Sequence, residues 1–131
     1  MEVNKFEVKK VIIATDLDEL NHVNNVTYVQ WIQDIAQLHW KELTKSLAED
    51  NCVWVVIKHE IEYVRQAILG DEVTIQTWVG ETKGVKSVRH VAFYKGSELL
   101  VNAITTWCLL DSKTLRPTRI SEELKKVMNI I

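Results

Sequence analysis

Residues 16–28 read DLDELNHVNNVTY, gathering Asp16, Asp18, Asn21, His22, Asn24, Asn25 and Tyr28 immediately before an amphipathic segment. A carboxylate, an imidazole and several amides therefore meet the start of a helix. Free backbone N–H groups and the positive end of the helix dipole make such a place suited to holding an oxyanion. The same residue types also serve as loop carboxylates, N-caps and turn formers, because their short polar side chains hydrogen-bond nearby backbone. On residue type alone both readings stand: Asp18 as the acid of a reactive centre, or Asp18 as a loop carboxylate with Asp16 or Asn24 as a cap and Asn25 in a turn. Asp16, Asp18 and His22 are suitable metal ligands by type, but their spacing matches no common metal motif, so no metal is expected.

The elements that must position these residues follow from periodicity. Tyr28, Val29, Ile32, Ile35, Ala36, Leu43 and Leu47 recur at three- and four-residue steps, the spacing of one helical face. Trp31, Leu38 and Trp40 widen that stripe, so a helix of about five turns wrapped by protein on most sides is expected. Ahead of the motif, residues 6–14 end in Val11, Ile12 and Ile13 and read as a first strand. Two-residue alternation then marks strands at 53–64, 71–81, 86–95 and 98–110, with Gly70, Gly80, Gly84, Gly96 and Pro117 as punctuation. Connections of about two to six residues favour antiparallel neighbours, because a parallel return needs a longer crossover. Ser121 followed by Glu122 and Glu123 opens a short surface helix. The expected class is α+β: an antiparallel β-sheet wrapped around one long central α-helix. Such a sheet covers the helix on one side and leaves unpaired edge strands, so association with a second subunit is expected.

Composition sets the outer bounds. A chain of 131 residues with 47% hydrophobic content and five tryptophans fits a single domain with a real core, expected here over 1–131. Sixteen basic and eighteen acidic residues give a formal charge of −2, without the basic field that drives nucleic-acid binding or adsorption to anionic membranes. The N-terminal MEVNKFEVKK has no apolar h-region and no stretch is long enough for a membrane span, so a cytoplasmic protein is expected. Cys52 and Cys108 lack CxxC spacing and neighbouring metal ligands and read as buried thiols. His39 on the helix and His59 and His90 in strands read as structural or surface residues.

Three segments carry a family resemblance. Residues 16–28, followed by Trp31, resemble the helix-entry motif of hotdog-fold thioesterases, in the branch with 4-hydroxybenzoyl-CoA thioesterase-like, small bacterial acyl-CoA and acyl-ACP enzymes. HEIEYVRQAILGDEV, from His59, is similar to that branch's E-Y-x-R run leading into a G-D-E turn, and ITTWCLLDSKTLRP, from Ile104, to its last long strand and following D-x-x-T-x-R-P segment. The resemblance implies a homodimeric or tetrameric hotdog domain hydrolysing an acyl-CoA or acyl-ACP thioester, without a cofactor, where the motif of one subunit meets its neighbour.

The family's acid aligns with Asp18, as general base on water or as nucleophile forming a mixed anhydride. The resemblance further implies thioester polarisation by backbone N–H groups near Asn24 and Asn25, and a water- or carbonyl-orienting role for His22. Tyr28 and Trp31 fit core or pocket wall, with Tyr28 a candidate for substrate contact. Lys58, Arg65, Lys83, Lys86 and Arg89 are candidates for phosphate contact, Arg65 foremost. The chain departs from the plant enzymes at Leu20, Gln66 and Ala67, where they carry asparagine, glutamate and cysteine, which favours the simpler one-carboxylate arrangement. No G-x-S-x-G elbow is present, against an α/β-hydrolase site. Two other readings compete: a hotdog hydratase acting on an enoyl or 3-hydroxyacyl thioester, and a non-catalytic acyl-CoA-binding module.

Overall fold

The computed structural model describes residues 5–47 and 51–128. Its elements run β1 (Phe6–Val11), a 3-10 turn (Ala14–Asp16), α1 (Asn25–Thr44), β2 (Cys52–Tyr63), β3 (Glu72–Lys83), β4 (Lys86–Lys95), β5 (Glu98–Asp111) and α2 (Glu122–Val127). Five antiparallel strands form one sheet in the order β1-β3-β4-β5-β2. This is the hotdog arrangement, with α1 lying along one face of the sheet.

Two-residue loops at 84–85 and 96–97 make β3, β4 and β5 consecutive neighbours. Gly84 and Gly96 sit at φ of +65° and +61°, left-handed conformations that tight hairpin turns demand. The expectation that each of the four strands after the helix pairs with the next fails once. β2 does not lie beside β3 but pairs with β5 at the opposite edge, and residues 64–71 carry the chain across. The physical reason is that the two hairpins close β3, β4 and β5 into a block with only two free edges. β1 occupies the β3 edge, so β2 takes the other.

Tyr28, Trp31, Ile32, Ile35, Ala36 and His39 form the buried face of α1, the i, i+3, i+4 stripe read from the sequence. The larger core joins that stripe to Val73, Ile75, Val91, Phe93, Val101 and Ala103 of the sheet. A smaller cluster of Leu109, Ile120, Leu124 and Met128 seats α2 against Trp40 and Trp54. The helix is less enclosed than its wide stripe suggested: Leu38 is 48% exposed, Gln37 and Lys41 are exposed, and Trp40 is half-buried. One sheet reaches only one side of a cylinder. Cys108 is buried as expected, whereas Cys52, at the start of edge strand β2, is only half-buried.

Candidate active site

The motif folds back on itself before the helix begins. Asp18 N–H donates to the His22 carbonyl at 2.8 Å, Leu17 and Val23 form a β-bridge, and Asn24 N–H donates to the Asp16 carbonyl at 2.9 Å. Asn21, at the tip, takes φ +61°, a left-handed conformation that asparagine tolerates better than most residues. Asp16 Oδ2 accepts from the Ile13 N–H at 2.9 Å and so ties the loop to the end of β1.

Asp18 Oδ1 accepts from the Leu20 N–H at 2.9 Å and the His22 N–H at 3.1 Å. These two bonds fix the half-buried carboxylate in the loop. Its other oxygen, Oδ2, accepts no hydrogen bond among the described residues. The His22 ring is half-buried and makes no side-chain hydrogen bond among those residues either. The Asp18 carboxylate is thus both a loop clamp and a carrier of one free oxygen.

At the helix start, Asn24 is the N-cap: its Oδ1 accepts from the Val26 N–H at 3.0 Å, and its carbonyl accepts from Thr27 and Tyr28. The cap uses every early amide but one. Asn25 N–H alone in that first turn has no acceptor among the described residues, and its residue is exposed. That single amide carries the helix-terminal positive potential outward.

Other sequence candidates are placed differently. The Tyr28 side chain is 1% exposed and packs edge-on against Trp31 and Phe93, so it is a core residue and not a surface contact. Burial pushes its phenol above the usual range, against the opposing influence of the Ala67 backbone. Arg65 lies on the crossover after β2, exposed and 3.8 Å from Glu98. The crossover joins the motif side of the molecule through Gly70 N–H to the Ile12 carbonyl and Ile12 N–H to the Asp71 carbonyl, each 2.9 Å. Lys58 pairs with Glu60 at 3.0 Å, and Lys83 and Lys86 are exposed at the β3–β4 hairpin.

Arg89 is a correction. It was a candidate for an exposed phosphate contact, but it is 6% exposed, and its Nη1 lies 2.8 Å from His39 Nδ1 and 3.1 Å from Thr77 Oγ1. In β4 the alternation that turns Val91 and Phe93 toward the helix turns Arg89 the same way. His39 and Thr77 come from α1 and β3, so this interior group joins three separate elements, and only the inward register of position 89 hinted at it. Among the described residues no cluster of three metal-ligating side chains occurs, and no helix is long and apolar enough to cross a membrane.

Comparison with known proteins gives a consistent result. The family model for the acyl-ACP thioesterase N-terminal domain matches residues 3–128. The long-chain acyl-CoA thioesterase FadM of Escherichia coli is 25% identical over 117 residues, covering 84% of this chain and 86% of FadM. A chloroplastic acyl-[acyl-carrier-protein] hydrolase, FATB3 of Cuphea viscosissima, is 28% identical over 85 residues, 63% of this chain but 21% of the plant protein. The match thus spans about a fifth of that plant relative. Among solved structures, the 12:0-ACP thioesterase of Umbellularia californica superposes with a TM-score of 0.80 at 17% identity, over 95% of this chain and 49% of that one, which speaks for the fold.

Proposed function

The chain belongs to the acyl-ACP thioesterase family, and we propose that it is a single hotdog domain hydrolysing an acyl-CoA or acyl-ACP thioester to a free acid and a thiol. The observation that carries this reading is the asymmetry of Asp18, whose Oδ1 is clamped by two backbone N–H groups while Oδ2 remains free. A carboxylate so held keeps its aim. Oδ2 then either removes a proton from the attacking water or itself attacks the thioester carbon. The Asn25 N–H receives the negative charge that develops on the carbonyl oxygen, with the dipole of α1 behind it. Asn24 contributes by capping, which leaves that amide unspent, and His22 orients water or the carbonyl from across the loop. Arg65 meets the phosphates of the carrier.

The active unit in this proposal is a cytoplasmic homodimer or tetramer. Exposed apolar side chains occur in two places that support it: Val53, Val55 and Ile57 on edge strand β2, and Ile13, Leu20, Val26, Ile68 and Leu69 around the motif. Pairing through β2 would cover the first group and satisfy the open strand edge.

Thiol release, followed with a colorimetric thiol reagent over a panel of acyl lengths on both carriers, tests the reading. Asp18→Asn is expected to lower turnover by at least about a hundredfold. Near wild-type turnover in that variant would remove the assignment. Loss of crotonyl-CoA absorbance without thiol release would instead identify a hydratase, and ligand-induced thermal stabilisation without turnover a binding module.

A further inference from the structure

A void of about 290 Å³ opens beside the C-terminal half of α1, between Trp40 on the helix, Trp54 on β2, Ser87 and Arg89 on β4, Trp107 on β5 and Met128 after α2. It is not an extension of the motif within this chain. Ala36 and Trp40, which border it, lie eleven and fifteen residues beyond Asn25, roughly 17–23 Å along the helix axis at 1.5 Å per residue.

The walls are mostly aromatic and apolar, no acidic residue among the described residues borders the void, and one buried guanidinium does. Among the described residues Arg89 pairs with no carboxylate. Both of its hydrogen bonds to described residues use Nη1, toward His39 and Thr77, and its Nε and Nη2 donors make none to those residues. A buried cation whose only partners are neutral is costly unless an anion compensates it. Burial lowers the Arg89 pKa to about 10, so the group remains charged at neutral pH. The indole N–H groups of Trp54 and Trp107 are also buried without an acceptor among the described residues. Among the described residues donors are in surplus here and no negative charge faces them.

We propose that this void binds an organic monocarboxylate, with its carboxylate on the free donors of Arg89 and its aromatic or aliphatic body between the tryptophans. A guanidinium presents its N–H groups in a fork that matches a carboxylate. One buried positive charge favours a monoanion, because the second charge of a phosphate monoester would be buried unpaired. Lys41, exposed at the rim, adds attraction for an approaching anion. This inference is independent of the thioesterase reading.

The test is tryptophan fluorescence and calorimetric titration of the full chain with 2-naphthoate and with its uncharged counterpart 2-naphthalenemethanol. The acid is expected to bind at least about tenfold more tightly, the lower range for charge-assisted hydrogen bonds. Arg89→Met is expected to fold, since an apolar side chain of similar size in place of a buried charge is often tolerated. It should abolish the preference for the acid. Ala36→Phe, which fills the void from the helix and leaves Arg89 in place, should remove binding of both compounds. Asp18→Asn should bind the acid as wild type does, even if it has lost turnover. Equal binding of the two compounds, binding of neither, a preference surviving Arg89→Met, or loss of acid binding in Asp18→Asn would each overturn the proposal.

Discussion

At the N-terminal end of α1 the polar groups come from nine consecutive residues, 16–24, and satisfy one another largely through backbone within that stretch. At the other end His39, Thr77 and Arg89 come from a helix and two strands, and their polar atoms meet inside the core. The first arrangement holds a half-buried carboxylate by short local bonds to one of its two oxygens. The second holds a cation and an imidazole in the protein interior, so their charge states are coupled to folding itself. In the proposed mechanism the acid at one end of the helix acts without cost to the fold, while protonation at the other end is a stability event.

The largest separation between the two ends should appear in Asp18→Asn. Asparagine keeps an oxygen in the Oδ1 position for the Leu20 and His22 amides but loses the charge. Turnover is expected to fall by about 10²–10⁴-fold, the range for positioned acid–base groups, while unfolding free energy changes by no more than about 0.5 kcal/mol. Thiol-release kinetics and urea midpoints on the same preparation check both halves. A variant that loses turnover only because it unfolds would erase the distinction.

His39 should show the reverse. Burial is the main cause that lowers its pKa from 6.5 to about 4; the Arg89 charge adds to the shift and Glu42 opposes it. Stacking on Phe6 and the bond from Arg89 to Nδ1 hold the neutral ring. Since the folded value lies below the unfolded one, the unfolded chain binds the extra proton first. The contribution is complete above about pH 6.5 and is lost as pH falls toward 4, in all about 3 kcal/mol at 1.36 kcal/mol per unit. Urea midpoints stepped through that window should fall accordingly, and His39→Gln should flatten the dependence. Unchanged slopes in the variant would place the titration elsewhere.

The same contrast explains what could be read from sequence. The motif, the helix stripe and the hairpin strands are local, and each declares itself within a dozen residues by residue type, by period or by a glycine turn. Asp16 and Asn24 as caps were legible because their partners, Ile13 and Val26, are three and two residues away. The partner of β2 was not, since the choice between β3 and β5 depends on which edges the later hairpins leave open. Arg89 was misplaced for a related reason: strand alternation points it inward, but the partners that let a charge stay there, His39 and Thr77, are 50 and 12 residues away. The free Asn25 amide was foreseen as a region but not as an atom, because it emerges by subtraction after the Asn24 cap has used its neighbours.

A smaller effect is expected on the sheet face away from α1, which serves as a control for both ends. Gly80 lies so close to His90 that a Cβ would come within 2.7 Å of the ring Nε2 and 3.3 Å of the Val88 carbonyl oxygen. That ring stacks on Trp78 at 5.3 Å between centroids and cannot swing aside without breaking the stack. Gly80→Ala should therefore destabilise by about 1–3 kcal/mol, as overpacking does. The pH slope of stability between 4 and 6.5 should persist, because His39 is untouched. A variant as stable as wild type would show that the His90 ring yields freely.

The smallest effect should come from Ser121, and it tests how the far end of α1 is closed. Ser121 Oγ accepts from the Leu124 N–H at 3.2 Å and caps α2, whose Leu124 packs with Leu109, Ile120 and Met128 against Trp40 and Trp54. Removing an N-cap hydroxyl costs about 1 kcal/mol, and a helix of six residues has few other bonds to absorb the loss. Ser121→Ala should lower global stability by about that amount. Because α2 is the lid over one cluster of tryptophans, amide exchange at Leu124 and Lys125 should accelerate before exchange in the motif loop does. Equal acceleration at both ends would mean that α1 transmits the strain along its length, and that the two regions form one cooperative unit.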